Sequence, residues 1–245
     1  MTESTESSGP LEEIEFWRRR CDDLSGISDQ LNRDEVKKIT KVLEIAKSSY
    51  LDQFQRLSNL IQEGTLQAQD NLRFLSTLTD SCKALAEAEP QTIPTILPNL
   101  LMYIRLIWAN SKYYNSKERM TSLLRKVSNE IIRRCCAKIS LDGIFHGDVQ
   151  ASMTVLHESI TCGESWKSIY KRTCQHIQKF TKQTWDFDQS SIFAQIDAFV
   201  QRCRDLIEVC EGQIQFARKL NGGKKEAVPI FGGSRGPEIA KGYDL

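Results

Sequence analysis

Residues 192–214, IFAQIDAFVQRCRDLIEVCEGQI, carry the reading that decides the fold. Ile192, Ile196, Phe199, Cys203, Leu206, Cys210 and Ile214 recur at steps of three and four, which sets them along one stripe of an α-helix. The spacing predicts a long helix ending by Leu220, where Asn221-Gly222-Gly223 supplies a stop. A second stripe, Val36, Ile39, Leu43, Ala46, Tyr50, Phe54, Leu57 and Leu60 or Ile61, predicts another long helix over 33–62 that stops at Gly64.

Working outward, the six prolines stand at 10, 90, 94, 98, 229 and 237, leaving two long intervals rich in helix-forming residues. Shorter helices are expected over 11–24, 66–88, 93–114, 116–138 and 148–181, the last broken near Gly163. Turn chemistry marks Ser25-Gly26, Ala88-Glu89-Pro90, Asn115-Ser116, Leu141-Asp142-Gly143 and 186–190. No segment alternates as a strand does. The expected fold is all-α, an elongated array of antiparallel helical bundles with an irregular Gly/Pro-rich C-terminal tail. Residues 1–9 read as a disordered leader, 10–220 as the bundle domain and 221–245 as an irregular tail or truncated linker.

Thirty-three Lys and Arg against thirty-two Asp and Glu give a net charge of +1, so the chain as a whole is no polyelectrolyte seeking nucleic acid or anionic lipid. The acidic, polar start is neither a secretory signal nor a transit peptide, which predicts a cytoplasmic chain with reduced cysteines. The most apolar run, 93–108, is cut by Pro94, Pro98 and Arg105, short of the roughly 20 apolar residues that a membrane span needs.

The eight cysteines include no CxxC pair and lack the clustering that zinc requires. Residues 232–237, GGSRGP, lack the Lys and the Ser or Thr of a phosphate loop. His146, His157 and His176 have no nucleophile placed beside them by local spacing. No catalytic, cofactor-binding or metal-binding residue is expected, and no cofactor.

Charge is distributed unevenly. Residues 1–35 carry ten acids against four bases, and 105–138 carry nine bases against two acids. Arg105, Lys112, Arg119, Lys126 and Arg133 are spaced by seven and would form one basic stripe on continuous helix. A solvated face is the plain explanation; the sharper one is a docking strip for an acidic surface, from the chain's own N-terminal region or from a partner. Trp108, Tyr113 and Tyr114 fall on or beside the apolar stripe, which argues for core and against stacking on nucleic acid.

In residues 9–24, GPLEEIEFWRRRCDDL, Pro10 opens a helix whose first turns carry Glu12, Glu13 and Glu15 near the positive dipole end. Ile14, Trp17, Cys21 and Leu24 share one face, so Trp17 is expected to be buried. Phe16, Arg18 and Arg20 lie off it and are candidate partner contacts.

Residues 10–20 PLEEIEFWRRR, 24–27 LSGI, 30–31 QL, 70–78 DNLRFLSTL, 104–120 IRLIWANSKYYNSKERM, 199–210 FVQRCRDLIEVC and 231–239 FGGSRGPEI, in that order, resemble the N-terminal tail region of dynein heavy chains. Their style is more similar to axonemal than to cytoplasmic heavy chains. The resemblance implies a non-catalytic helical tail that associates with other dynein heavy chains and with dynein intermediate and light chains. It also implies anchoring to cargo or to the ciliary doublet, in the cytoskeleton of a ciliary or flagellar axoneme; tubulin or a docking protein is a candidate acidic partner for the basic strip, and charge and the absence of a long apolar run argue against nucleic-acid and membrane partners. ATP hydrolysis in that family belongs to a distant motor region, so no catalytic residue is carried over. Residues 240–245 leave the family pattern, which leaves a fragment or a stand-alone tail protein. The alternative is a helical scaffold unrelated to motors.

Overall fold

The computed structural model describes residues 8–180 and 184–220. The leader expected at 1–9 lies outside the described residues up to residue 7, and the tail expected at 221–245 lies outside them entirely. The helices are α1 (Pro10–Leu31), α2 (Asp34–Ile45), α3 (Tyr50–Ser76), α4 (Thr79–Glu87), α5 (Ile93–Asn110), α6 (Lys117–Cys136), α7 (Leu141–His146), α8 (Val149–Phe180) and α9 (Gln189–Leu220). There is no strand among the described residues. The all-α expectation holds.

The stripe on α9 is core as read: Ile192, Ile196, Cys203, Leu206 and Cys210 are wholly buried, against α8 and α6. The centre is α6, which touches α1, α4, α8 and α9. Its buried Ser128 ties three helices: Trp166 on α8 donates to Ser128 Oγ at 2.9 Å, and Ser128 donates to the Ile192 carbonyl at 2.9 Å. Asp148 and Asp188 accept backbone N–H groups at the starts of α8 and α9, filling orphan donors there.

Six expectations about breaks and connectors are corrected. The helix read over 33–62 is two helices reversing at 46–49. Lys47 adopts φ 48°, Ser48 N–H donates to Leu43 O, and Lys47 N–H donates to Glu44 O, a Schellman closure with lysine where glycine is usual. The apolar period runs across this reversal undisturbed, so period alone could not reveal it.

The helix does not stop at Gly64. A Cβ there would lie 3.4 Å from Leu24 Cδ1, ordinary contact, so the glycine sits inside a continuous helix facing α1. The turn read at Ser25-Gly26 is helix as well, within an α1 that packs along α3. Gly163 does not break α8 either; a Cβ would lie 2.9 Å from Val200 Cγ2, so its role is close packing on α9.

Conversely, 66–88 divides at Thr77-Leu78, where the Thr77 and Leu78 N–H groups turn back to Phe74 O and Leu75 O, and the Ser76 and Thr77 hydroxyls also bond the Arg73 and Phe74 carbonyls. Residues 141–146, read as connector, form the short α7, which Ser140 caps through Gly143 N–H at 3.0 Å.

Candidate interaction surfaces

The start of α1 is fixed on α6. Glu13 accepts from Trp17 Nε1 at 3.1 Å, from the Tyr114 hydroxyl at 2.5 Å and from Lys126 Nζ at 2.8 Å. Trp17 Nε1 also donates to the Tyr114 hydroxyl at 2.8 Å. Burial alone pushes the Glu13 carboxyl up, but the bonds from Lys126, Tyr114 and Trp17 outweigh it and leave the carboxyl below its ordinary 4.5. Burial, with Glu13 alongside, pushes the Tyr114 phenol well up, so it remains a donor.

A turn earlier, Glu12 meets Arg133 at 2.9 Å, and Arg133 meets Glu130 at 2.8 Å. Glu12 Oε2 also accepts the Gly9 N–H at 3.1 Å, which helps to start the helix. Burial raises the Glu130 carboxyl, which Arg133 only partly offsets.

The sequence-picked residues separate under this geometry. Arg105, Lys112, Arg119, Lys126 and Arg133 do not form one stripe, because α5 ends at Asn110, α6 begins at Lys117, and Lys112 lies in the turn between them. Lys126 and Arg133 are occupied by Glu13 and Glu12, so this half of the basic run faces the chain's own acidic start. Arg119 stacks 3.8 Å from the Tyr113 ring centroid and donates to Tyr113 O. Together with Phe16, Arg19 and Tyr113 it lines a groove of about 410 Å³ between α1 and α6.

Phe16 is 51% exposed and meets Trp17 edge-on, whereas Trp17 is 3% exposed. Arg18 pairs with Glu15 at 2.6 Å, and Arg20 stands in solvent. Lys112 is exposed beside Asp70 and Arg73 of α3, and Arg105 lines a separate groove between α5 and α8.

Sequence reasoning missed a larger feature. From Arg18 to Gly64 no residue is buried, so the end of α1, all of α2 and the first half of α3 form an arm without a core of its own. On it Ile39, Val42, Ile45, Tyr50, Leu57 and Leu60 stand exposed, Ile45 at 83% and Tyr50 at 70%. Ile39, Tyr50, Leu57 and Leu60 belong to the stripe read over 33–62, and Val42 and Ile45 lie beside it. The available signal was the width of the apolar arc on α2, where Val42 and Ile45 extend beyond the stripe formed by Val36, Ile39 and Leu43. Exposed apolar residues grouped along one arm make it a candidate interaction surface.

Among the described residues no group of three or more His, Cys, Asp or Glu side chains is placed to hold a metal ion, and no helix is long and apolar enough to cross a membrane. All eight cysteines are free thiols.

Comparison with known proteins is consistent with this arrangement. The family model described as dynein heavy chain, N-terminal region 1, matches residues 1–243. The dynein-1-beta heavy chain of the flagellar inner arm I1 complex of Chlamydomonas reinhardtii is 52% identical over 239 residues, 98% of this chain and 5% of that protein. Human dynein axonemal heavy chain 2 is 54% identical over 125 residues, 51% of this chain and 3% of that protein. The dynein beta chain of the flagellar outer arm of the same alga is 30% identical over 237 residues, 96% of this chain and again 5% of the relative. The chain thus spans about a twentieth, or less, of the length of these relatives. By the extent of these matches the chain belongs to the dynein heavy chains, as their N-terminal region 1, with relatives of the axonemal kind.

Proposed function

We propose that this chain is the assembly module of an axonemal dynein heavy chain, joining other heavy chains and intermediate and light chains of a ciliary or flagellar dynein that moves on microtubules. The observation that carries the reading is the arm from Arg18 to Gly64, whose exposed Ile39, Ile45, Tyr50 and Leu57 give a neighbouring tail an apolar face to cover. The segment matched in the relatives includes no motor domain, so the role supported here is structural. Residues 10–220 act in this reading as one folded module, with the arm as its outward end.

The test is affinity capture from axonemal extract on the full chain, with bound proteins identified by mass spectrometry. Dynein heavy, intermediate or light chains are expected. The variant Ile45→Glu with Leu57→Glu should lose the heavy chains and keep its melting temperature, since both sites are exposed. Capture of no dynein component would overturn the reading.

A further inference from the structure

Among the surface helices α5 stands apart. Arg105 is the only charged residue of its 18, yet one side of it faces solvent. Pro98, Met102, Leu106 and Ala109 follow one another at steps of four, four and three along that side, with Met102 and Leu106 50% and 52% exposed. A helix so poor in charge is normally enclosed. Here the exposed stripe runs about 16 Å, three helical turns.

Beside it lies a groove of about 440 Å³ against α8. Leu101 and Met102 from α5 and Ile169 and Ile177 from α8 supply apolar lining, and Arg105 and Arg172 supply charge. From Ser165 to Phe180, α8 carries Lys167, Lys171, Arg172 and Lys179 and no acid. Lys167 is taken by Asp197 of α9. Arg172 has no acidic partner among the described residues. Phe180, 64% exposed and 4.8 Å from the His176 ring, extends the apolar surface past the groove's end.

An apolar floor with a basic rim selects an occupant that is apolar on one face and acidic on its flanks. A second copy fits poorly, because pairing this face with itself opposes like charges. Residues 221–245 fit no better, with four bases against three acids. We propose that the α5–α8 groove docks an acidic amphipathic helix of a partner protein, its apolar stripe on Met102 and Leu106 and its carboxylates against Arg105 and Arg172. This surface is separate from the arm, and the inference goes beyond the association assigned there.

The experiment is a fluorescence-anisotropy titration of the full 245-residue chain. One labelled helical peptide carries leucines at steps of three and four flanked by glutamates; a second has every glutamate replaced by lysine. The glutamate peptide should bind, more weakly as salt rises, and the lysine peptide should not. Arg172→Glu should weaken binding by about tenfold or more, and Met102→Asp with Leu106→Asp should abolish it with an unchanged circular-dichroism melt. No binding of the glutamate peptide, equal binding of both, or indifference to both variants would overturn the proposal. So would sedimentation showing a dimer that Leu106→Asp disperses, since the occupant would then be a second copy. Ile45→Glu with Leu57→Glu should leave peptide binding intact, so this inference and the heavy-chain reading fail separately.

Discussion

Glu13 holds three donors whose sequence positions lie as far as 113 residues away, and its ionisation is therefore part of the fold's stability. With its folded pKa below the unfolded 4.5, the stabilisation is fully present above that pH and is lost as pH falls through the folded value. Glu13→Gln should lower stability at pH 7 by roughly 1–3 kcal/mol, and the gap from wild type should close as the pH drops below 4.5. Urea titrations from pH 7 to 3 would read this; a gap independent of pH would remove the carboxylate's charge from the account. Glu130 acts in the opposite sense, its raised pKa favouring the folded state toward low pH. Lys47, held at φ 48°, makes a second residue-scale prediction. Lys47→Gly should relieve roughly 1 kcal/mol of left-handed strain and slow hydrogen exchange at the α2–α3 turn. Burial of Trp17 was legible from the steps Ile14, Trp17, Cys21 and Leu24, because a helix face is a local property. Its hydrogen bond to Tyr114, 97 residues on, left no trace in local spacing.

At the scale of elements, the sequence was most readable where one stripe served one interface. The stripe read on α9 agrees with the structure because it serves a single interface, and Asp188 caps the helix start within the turn read at 186–190; the Asn-Gly-Gly stop lies outside the described residues. Glycine misled in three helices. It was read as a stop or turn at Gly26 and Gly64 and as a break at Gly163, whereas all three lie inside helices and at Gly163 the missing side chain serves an interhelical contact. That role depends on the facing helix, which no window along the sequence contains. Gly163→Val should cost roughly 1–3 kcal/mol through overpacking, since even its Cβ would lie 2.9 Å from Val200 Cγ2. The cost should shrink when Val200→Ala is introduced with it; additive losses would argue that the glycine serves the α8 backbone and not the contact. Ser128→Ala should cost a similar amount, about 1–3 kcal/mol, because it strands the buried Trp166 N–H. Its mark is a lower urea midpoint with unchanged slope.

Across the whole molecule, the charge asymmetry visible in the sequence resolves largely into an internal fit. The acidic start meets Lys126 and Arg133, and Glu15 meets Arg18 and Arg19, while the unmatched basic surface lies elsewhere, on Arg20 and the end of α8. The candidate site was legible as charge and illegible as apolar surface, for a physical reason. A stripe that awaits a partner has the same period as a stripe that meets the chain's own core, and only the fold says which helix face is left over. That leftover face divides the molecule energetically. The bundle around α6, α8 and α9 buries side chains continuously, whereas residues from Arg18 to Gly64 bury none. Local opening free energy follows buried apolar contact. Amides of α2 and of α3 before Gly64 should therefore exchange by local opening, with rates nearly independent of low urea. Those of α6, α8 and α9 should exchange only through global unfolding, with rates that climb steeply with urea. Adding a dynein heavy-chain tail that covers the arm should raise α2 protection toward the bundle's level and leave the bundle's slope unchanged. Protection of α2 equal to that of α6 in the isolated chain would mean that the arm is already fully supported, and its apolar face would then call for no partner.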